Sequence, residues 1–174
     1  MGLGEVADSA LEVGCGNWGL WRFNKRVTGL DPLDFSAMGE NFVQGKAESI
    51  PFPDYSFSDV FCVNALDHCE NPRLAMREMA RVASSRVVLW CYVFDEALRP
   101  FFRIAYAPHP HCFTEMDLLG LIPRSMVVEK RIVVSPMNMF DKYAKSPVSR
   151  VKLHLAEALG VHALLLHMRK SNYA

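Results

Sequence analysis

The sequence predicts an α/β protein, a sandwich of helices around a mostly parallel sheet. Three observations predict it. Apolar runs of strand length recur along the chain, and the segments between them carry helix-end signals. Several runs are continuously apolar rather than alternating, as strands covered on both faces should be. The first run ends in Gly14-Cys15-Gly16, with Gly19 three residues on.

In chain order, Met1 to Ser9 is a short stretch before the first strand. Ala10–Cys15 is the first strand. Glycines at the spacing that follows let the backbone turn sharply and approach a ligand without Cβ clashes. A helix beginning just beyond would aim its free N–H groups over the turn, although many tight structural turns look the same. Leu20 to Lys25 leaves room for little more than a turn or two of helix. The further strands are Arg26–Leu30, Asn41–Gln44, Asp59–Asn64, Arg86–Val93, Met126–Val134 and Val161–Met168. Asn71 caps a helix with Pro72 at its first position and Ala75, Met79 and Val82 on one face. Thr114-Glu115-Met116-Asp117 reads as a capping box, opening a short helix that Pro123 stops. Ser146-Pro147 opens another, which Gly160 closes.

The chain has 174 residues, 51% of them hydrophobic, enough for one domain with a substantial core. Its 19 basic and 19 acidic side chains balance, so bulk charge points to neither nucleic acid nor a membrane surface as partner. Five cysteines (Cys15, Cys62, Cys69, Cys91, Cys112) form no C-x-x-C pair and are read as reduced thiols, which favours the cytoplasm. No signal peptide opens the sequence, and no apolar run reaches the roughly 18 residues of a membrane span.

The first strand with Glu12, the glycine turn, and a second strand ending Val27-Thr28-Gly29-Leu30-Asp31 resemble the class I S-adenosylmethionine-dependent methyltransferases. Gly45 to Pro72, GKAESIPFPDYSFSDVFCVNALDHCENP, is similar to that family's succession of a small acidic motif, a Pro-Phe pair, a Phe-Asp near a strand start and a Leu-x-His loop. Glu78 with Arg81-Val82 resembles its E-x-x-R-V segment. The resemblance covers Ala10 to Val93, with four spaced motifs in the family's order. It implies a Rossmann-like three-layer sandwich whose seven-stranded, mostly parallel sheet has its last strand antiparallel. It further implies one methyltransferase-like domain over residues 1–174, short at its N-terminus. That side is then either trimmed or covered by a partner, a second copy included.

The resemblance also implies S-adenosylmethionine as cofactor and methyl transfer to a small-molecule acceptor. Glu12, Gly14, Cys15 and Gly16 fall at the cofactor's amino-acid end, although Trp18 stands where the third glycine is usual. Asp31 has the position and chemistry to accept both ribose hydroxyls, though an Asp before Pro32 is also an ordinary turn former. Ala47 and Glu48 fall at the adenine, beside a Lys46 that cannot accept a bond from the amino group. Asn64 and His68 fall at the methionine end. His68 is the candidate base for an acceptor that must lose a proton; its alternative is a loop-packing role. Tyr106, His109 and His111 are candidates for the acceptor pocket or for loop structure. Two histidines around a proline also suit a metal, but no third ligand stands at suitable spacing, so none is expected. A non-catalytic relative with a regulatory or scaffold role is the alternative, favoured by Trp18, Lys46 and the short front end.

Overall fold

The computed structural model describes residues 9–98, 100, 109–135 and 161–171. Seven strands form one sheet: β1 (Ala10–Val13), β2 (Val27–Asp31), β3 (Phe42–Gln44), β4 (Phe57–Val63), β5 (Ala83–Val93), β6 (Met126–Val134) and β7 (His162–Lys170). Their spatial order is β3-β2-β1-β4-β5-β7-β6. β1 to β5 run parallel, while β7 pairs antiparallel with both β5 and β6. All seven strands fall where the apolar runs stand, and the last strand is antiparallel as the resemblance implies. Two begin earlier than expected, at Phe57 and Ala83. Ala83-Ser84-Ser85 lacks an apolar pattern, because Ser84 and Ser85 are exposed.

Two α-helices are described: α1 (Pro72–Val82) and α2 (Glu115–Leu121). Asn71 caps α1 by accepting from the Leu74 N–H at 3.1 Å, and Pro72 needs no donor there. Thr114 and Asp117 close a reciprocal capping box on α2. α1 runs into β5 with no intervening loop. Its Ala75, Met76, Met79, Ala80 and Val82 are buried against Val60, Cys62, Val87 and Leu89. Opposite, Ala10, Val27, Phe61, Val88 and Trp90 form a second cluster.

The links over residues 14–26 and 32–41 hold only 3-10 turns (Gly16–Trp18, Leu20–Arg22, Ser36–Met38) where the family's longer helices would stand. Trp21 fills that layer, 3% exposed, tilted against Phe42 at 5.4 Å between ring centres. Its ring lies so close to Gly29 that any Cβ there would sit 2.7 Å from the Trp21 Cγ. The helix expected from Ser146 to Gly160 lies outside the described residues.

Glu78 and Arg81 of α1 tie down the segment before β4. Arg81 bonds Glu78 (2.7 Å), Asp54 (2.8 Å) and the carbonyls of Ile50 and Phe52 (2.9 and 2.8 Å). Glu78 in turn accepts the Ile50 N–H at 2.9 Å. This braces the segment through which the chain enters β4.

Candidate active site

The chain leaves β1 towards β2 and β3 on one side and returns to β4 on the other. That reversal opens a crevice at the carboxyl ends of β1, β2 and β4, where open parallel sheets bind ligands. A cavity of about 410 Å3 occupies it, lined among others by Gly14, Asp31, Ala47, Glu48, Asn64 and His68. That volume lies within the roughly 300–1,000 Å3 of small-molecule sites.

Gly14 has φ +67°, and a side chain there would run into Ala65 on the loop after β4. Only glycine closes this turn while leaving the crevice open. Asp31 ends β2, 8% exposed, with Oδ2 accepting the Gly16 N–H and Oδ1 the Leu33 N–H, both at 3.0 Å. A carboxylate has about four acceptor sites, so two remain for a ligand. Ala47 lines the cavity, and so does Glu48, whose Oε1 also accepts the Asn71 N–H at 3.1 Å. Lys46 reaches across to Glu70 with its Nζ 2.8 Å from Oε1. That pairing raises the Lys46 pKa and lowers that of Glu70.

Glu12, Cys15 and Gly16 stand behind the cavity wall instead of lining it. Glu12 is 5% exposed and accepts the Trp21 N–H at 3.2 Å. Burial drives its pKa from 4.5 to about 7, against the lowering effect of the Trp21 and Leu20 backbone bonds. Burial likewise pushes the Cys15 thiol up to about 12, with the charges of Glu12 and Asp31 adding to it. These residues shape the turn, and Trp21 Nε1 braces it from beneath by donating to the Gly16 carbonyl at 3.1 Å.

At the other end of the cavity, His68 stands exposed on a 3-10 turn (Leu66–His68). The segment after residue 108 is pinned to that turn. His111 N–H bonds the Asp67 carbonyl (3.3 Å), and His111 Nε2 lies 2.9 Å from the Cys69 carbonyl. His109 Nδ1 donates to Asp67 Oδ2 at 2.6 Å, and its ring packs on His68 with centres 4.3 Å apart. His68 and His109 therefore meet, while His111 stacks on Phe113 with ring centres 5.5 Å apart. His111 opens on a separate cavity of about 510 Å3 between the N-terminus of α1 and α2. Tyr106 lies outside the described residues. Asp67, buried and 42 positions before its partner, is a functional candidate that no local pattern in the sequence singles out.

Strand order, glycine turn and cavity together define a class I methyltransferase fold. Residues 11–91 match the family described as a methyltransferase domain. The uncharacterized methyltransferase YcgJ of Bacillus subtilis is 54% identical over 41 residues, 24% of this chain and 16% of that protein. The chain thus matches only a small part of that curated relative in sequence. The solved YcgJ structure superposes over 97% of this chain and 94% of its own, with TM-score 0.69 and 18% identity. Geranyl diphosphate C-methyltransferase from Streptomyces coelicolor, solved with Mg2+, geranyl diphosphate and S-adenosylhomocysteine, superposes over 97% and 74%, with TM-score 0.75 and 13% identity. No helix among the described residues is long and apolar enough to cross a membrane.

Proposed function

We propose that this chain binds S-adenosylmethionine in the cavity over Gly14 and transfers its methyl group to a small-molecule acceptor. The observation that carries this reading is the cavity itself. Asp31, Ala47 and Asn64, which the family resemblance assigns to ribose, adenine and methionine, all line it. The residues present fit the cofactor: a wall where only glycine is tolerated, a carboxylate with spare acceptor sites, and a small side chain at Ala47. When bound, the cofactor supplies an electrophilic methyl on a sulfonium.

The chain's own work is positional. Asp31 accepts from the ribose hydroxyls, and Ala47 offers its backbone N–H at the adenine. Asn64, with φ +52°, turns the chain at the methyl end so that an acceptor approaches in line. The imidazoles there, His68 with His109 held by Asp67, supply the capacity to take a proton from an acceptor that must lose one. An apolar-walled crevice on a chain without net charge suits a small acceptor in a cytoplasmic protein better than a nucleic acid.

Calorimetric titration with S-adenosylhomocysteine tests the reading. Asp31→Ala should weaken binding by about 1–3 kcal/mol through loss of a charge-assisted acceptor. No heat for the unaltered chain at millimolar ligand would overturn cofactor binding. Binding without turnover across a broad acceptor screen would favour the regulatory alternative.

A further inference from the structure

Of the two histidines around Pro110, the fold brings His109 to two further ligand types from a distant turn, while His111 bonds the Cys69 carbonyl instead. Asp67, His68 and His109 each present a donor atom within 4.8 Å of the other two. The aspartate is 6% exposed, yet only its Oδ2 is engaged; Oδ1 is buried with no hydrogen-bond partner among the described residues. A buried carboxylate oxygen left without a donor is uncommon and calls for a cation or a missing donor. We propose that Asp67, His68 and His109 form a binding site for a divalent first-row transition ion at the methyl end of the cavity.

Two imidazoles and one carboxylate suit zinc, cobalt or ferrous iron and leave open coordination positions. They suit magnesium poorly, which takes oxygen ligands and keeps its waters. Asp67 and His109 are fixed, one by burial and both by their mutual bond. His68 is exposed, so its ring is free to swing in and close the set. For an arriving ion the His109 proton moves from Nδ1 to Nε2 through solvent, so the ring binds as a neutral imidazole, and the 2.6 Å contact opens to the roughly 3 Å expected of two donors on one ion. Cys69, on the same turn, falls outside the set, its Sγ donating to the Ala65 carbonyl at 3.7 Å. In the loaded site the two histidines are ligands instead of proton acceptors. An acceptor oxygen reaching an open position is then acidified by the ion. The inference rests on the place of this cluster beside the proposed methyl end, but ion binding itself requires no cofactor.

Titration of the whole chain with Co2+, followed by visible absorption and calorimetry, tests it. One equivalent should bind with ligand-field bands, displaced by Zn2+. His109→Ala and His68→Ala should each weaken binding at least about 100-fold while circular dichroism stays unchanged. Asp67→Asn should do the same, with His68→Ala as the safe variant because that side chain is exposed. No cobalt spectrum at 1 mM ion, or undiminished binding in both histidine variants, would overturn the site. S-adenosylhomocysteine titration of the unaltered chain without added ion reports the cofactor cleft separately, so either proposal fails without the other.

Discussion

The two faces of the sheet are built by different means. On one, the link over residues 64–82 is long enough for an eleven-residue helix, and α1 lays Met76 and Met79 on the strands. On the other, the links over residues 14–26 and 32–41 cross with 3-10 turns alone, and Trp21 is the bulk of the filling among the described residues. Link length thus sets layer thickness. A helical crossover needs a dozen or more residues beyond its turns. Where they are missing, one aromatic ring pressed on Gly29 does the covering. The thick face ties down the segment entering β4 through Arg81, whereas the thin face carries the glycine turn through Glu12 and the Trp21 indole.

The largest test of this contrast is Trp21→Ala. With no helix behind it among the described residues to collapse into the gap, the loss should cost about 3–5 kcal/mol in urea unfolding. A cost under about 1 kcal/mol would mean that the thin face is filled by something other than this ring.

Glu12 gives the next effect. Its folded-state pKa stands near 7 against 4.5 unfolded, so between those values the native chain holds a proton that the unfolded chain has released. Its stabilisation is complete below about pH 4.5 and is lost as pH rises towards 7. Glu12→Gln should flatten that slope and raise stability at pH 8 by up to about 3 kcal/mol. Thermal unfolding across pH 4 to 8 reads it, and parallel curves for both proteins would refute the buried-acid account.

The smallest effect belongs to the thick face. Asn71→Ala removes one cap from a helix otherwise held by its buried side chains. It should cost about 1 kcal/mol in the same urea assay. A loss as large as that of Trp21 would show the two faces to be equally thin.

Much of this architecture was legible in the chain because it is local. Each strand announced itself by a run of apolar residues, and Asn71-Pro72 and Thr114 to Asp117 are complete signals within four positions. The brevity of Leu20 to Lys25 already excluded a full helix there. The antiparallel placement of the last strand came from family resemblance, since nothing in His162–Lys170 encodes direction. What stayed illegible is what the fold brings together from afar. Lys46 meets Glu70 across 24 positions, and Asp67 meets His109 across 42. Glu12, Cys15 and Gly16 were placed against the cofactor by motif. In the fold Glu12 points from β1 to the face that Trp21 covers, and Cys15, just past the strand, packs on that face too.

The position of β7 bears on how the chain assembles. It enters the sheet between β5 and β6, although it follows both, and its pairing with β5 joins Val93 to His162. β4, α1 and β5 are contiguous and can associate as soon as they exist. The free edge of β5 must then wait until the ribosome has delivered nearly seventy further residues. Through that interval Trp90 and Leu89 stand beside unpaired N–H and carbonyl groups, an invitation to strands from neighbouring nascent chains. Yield on expression should therefore depend on how quickly β7 arrives, more than on the final stability of the sheet that it completes.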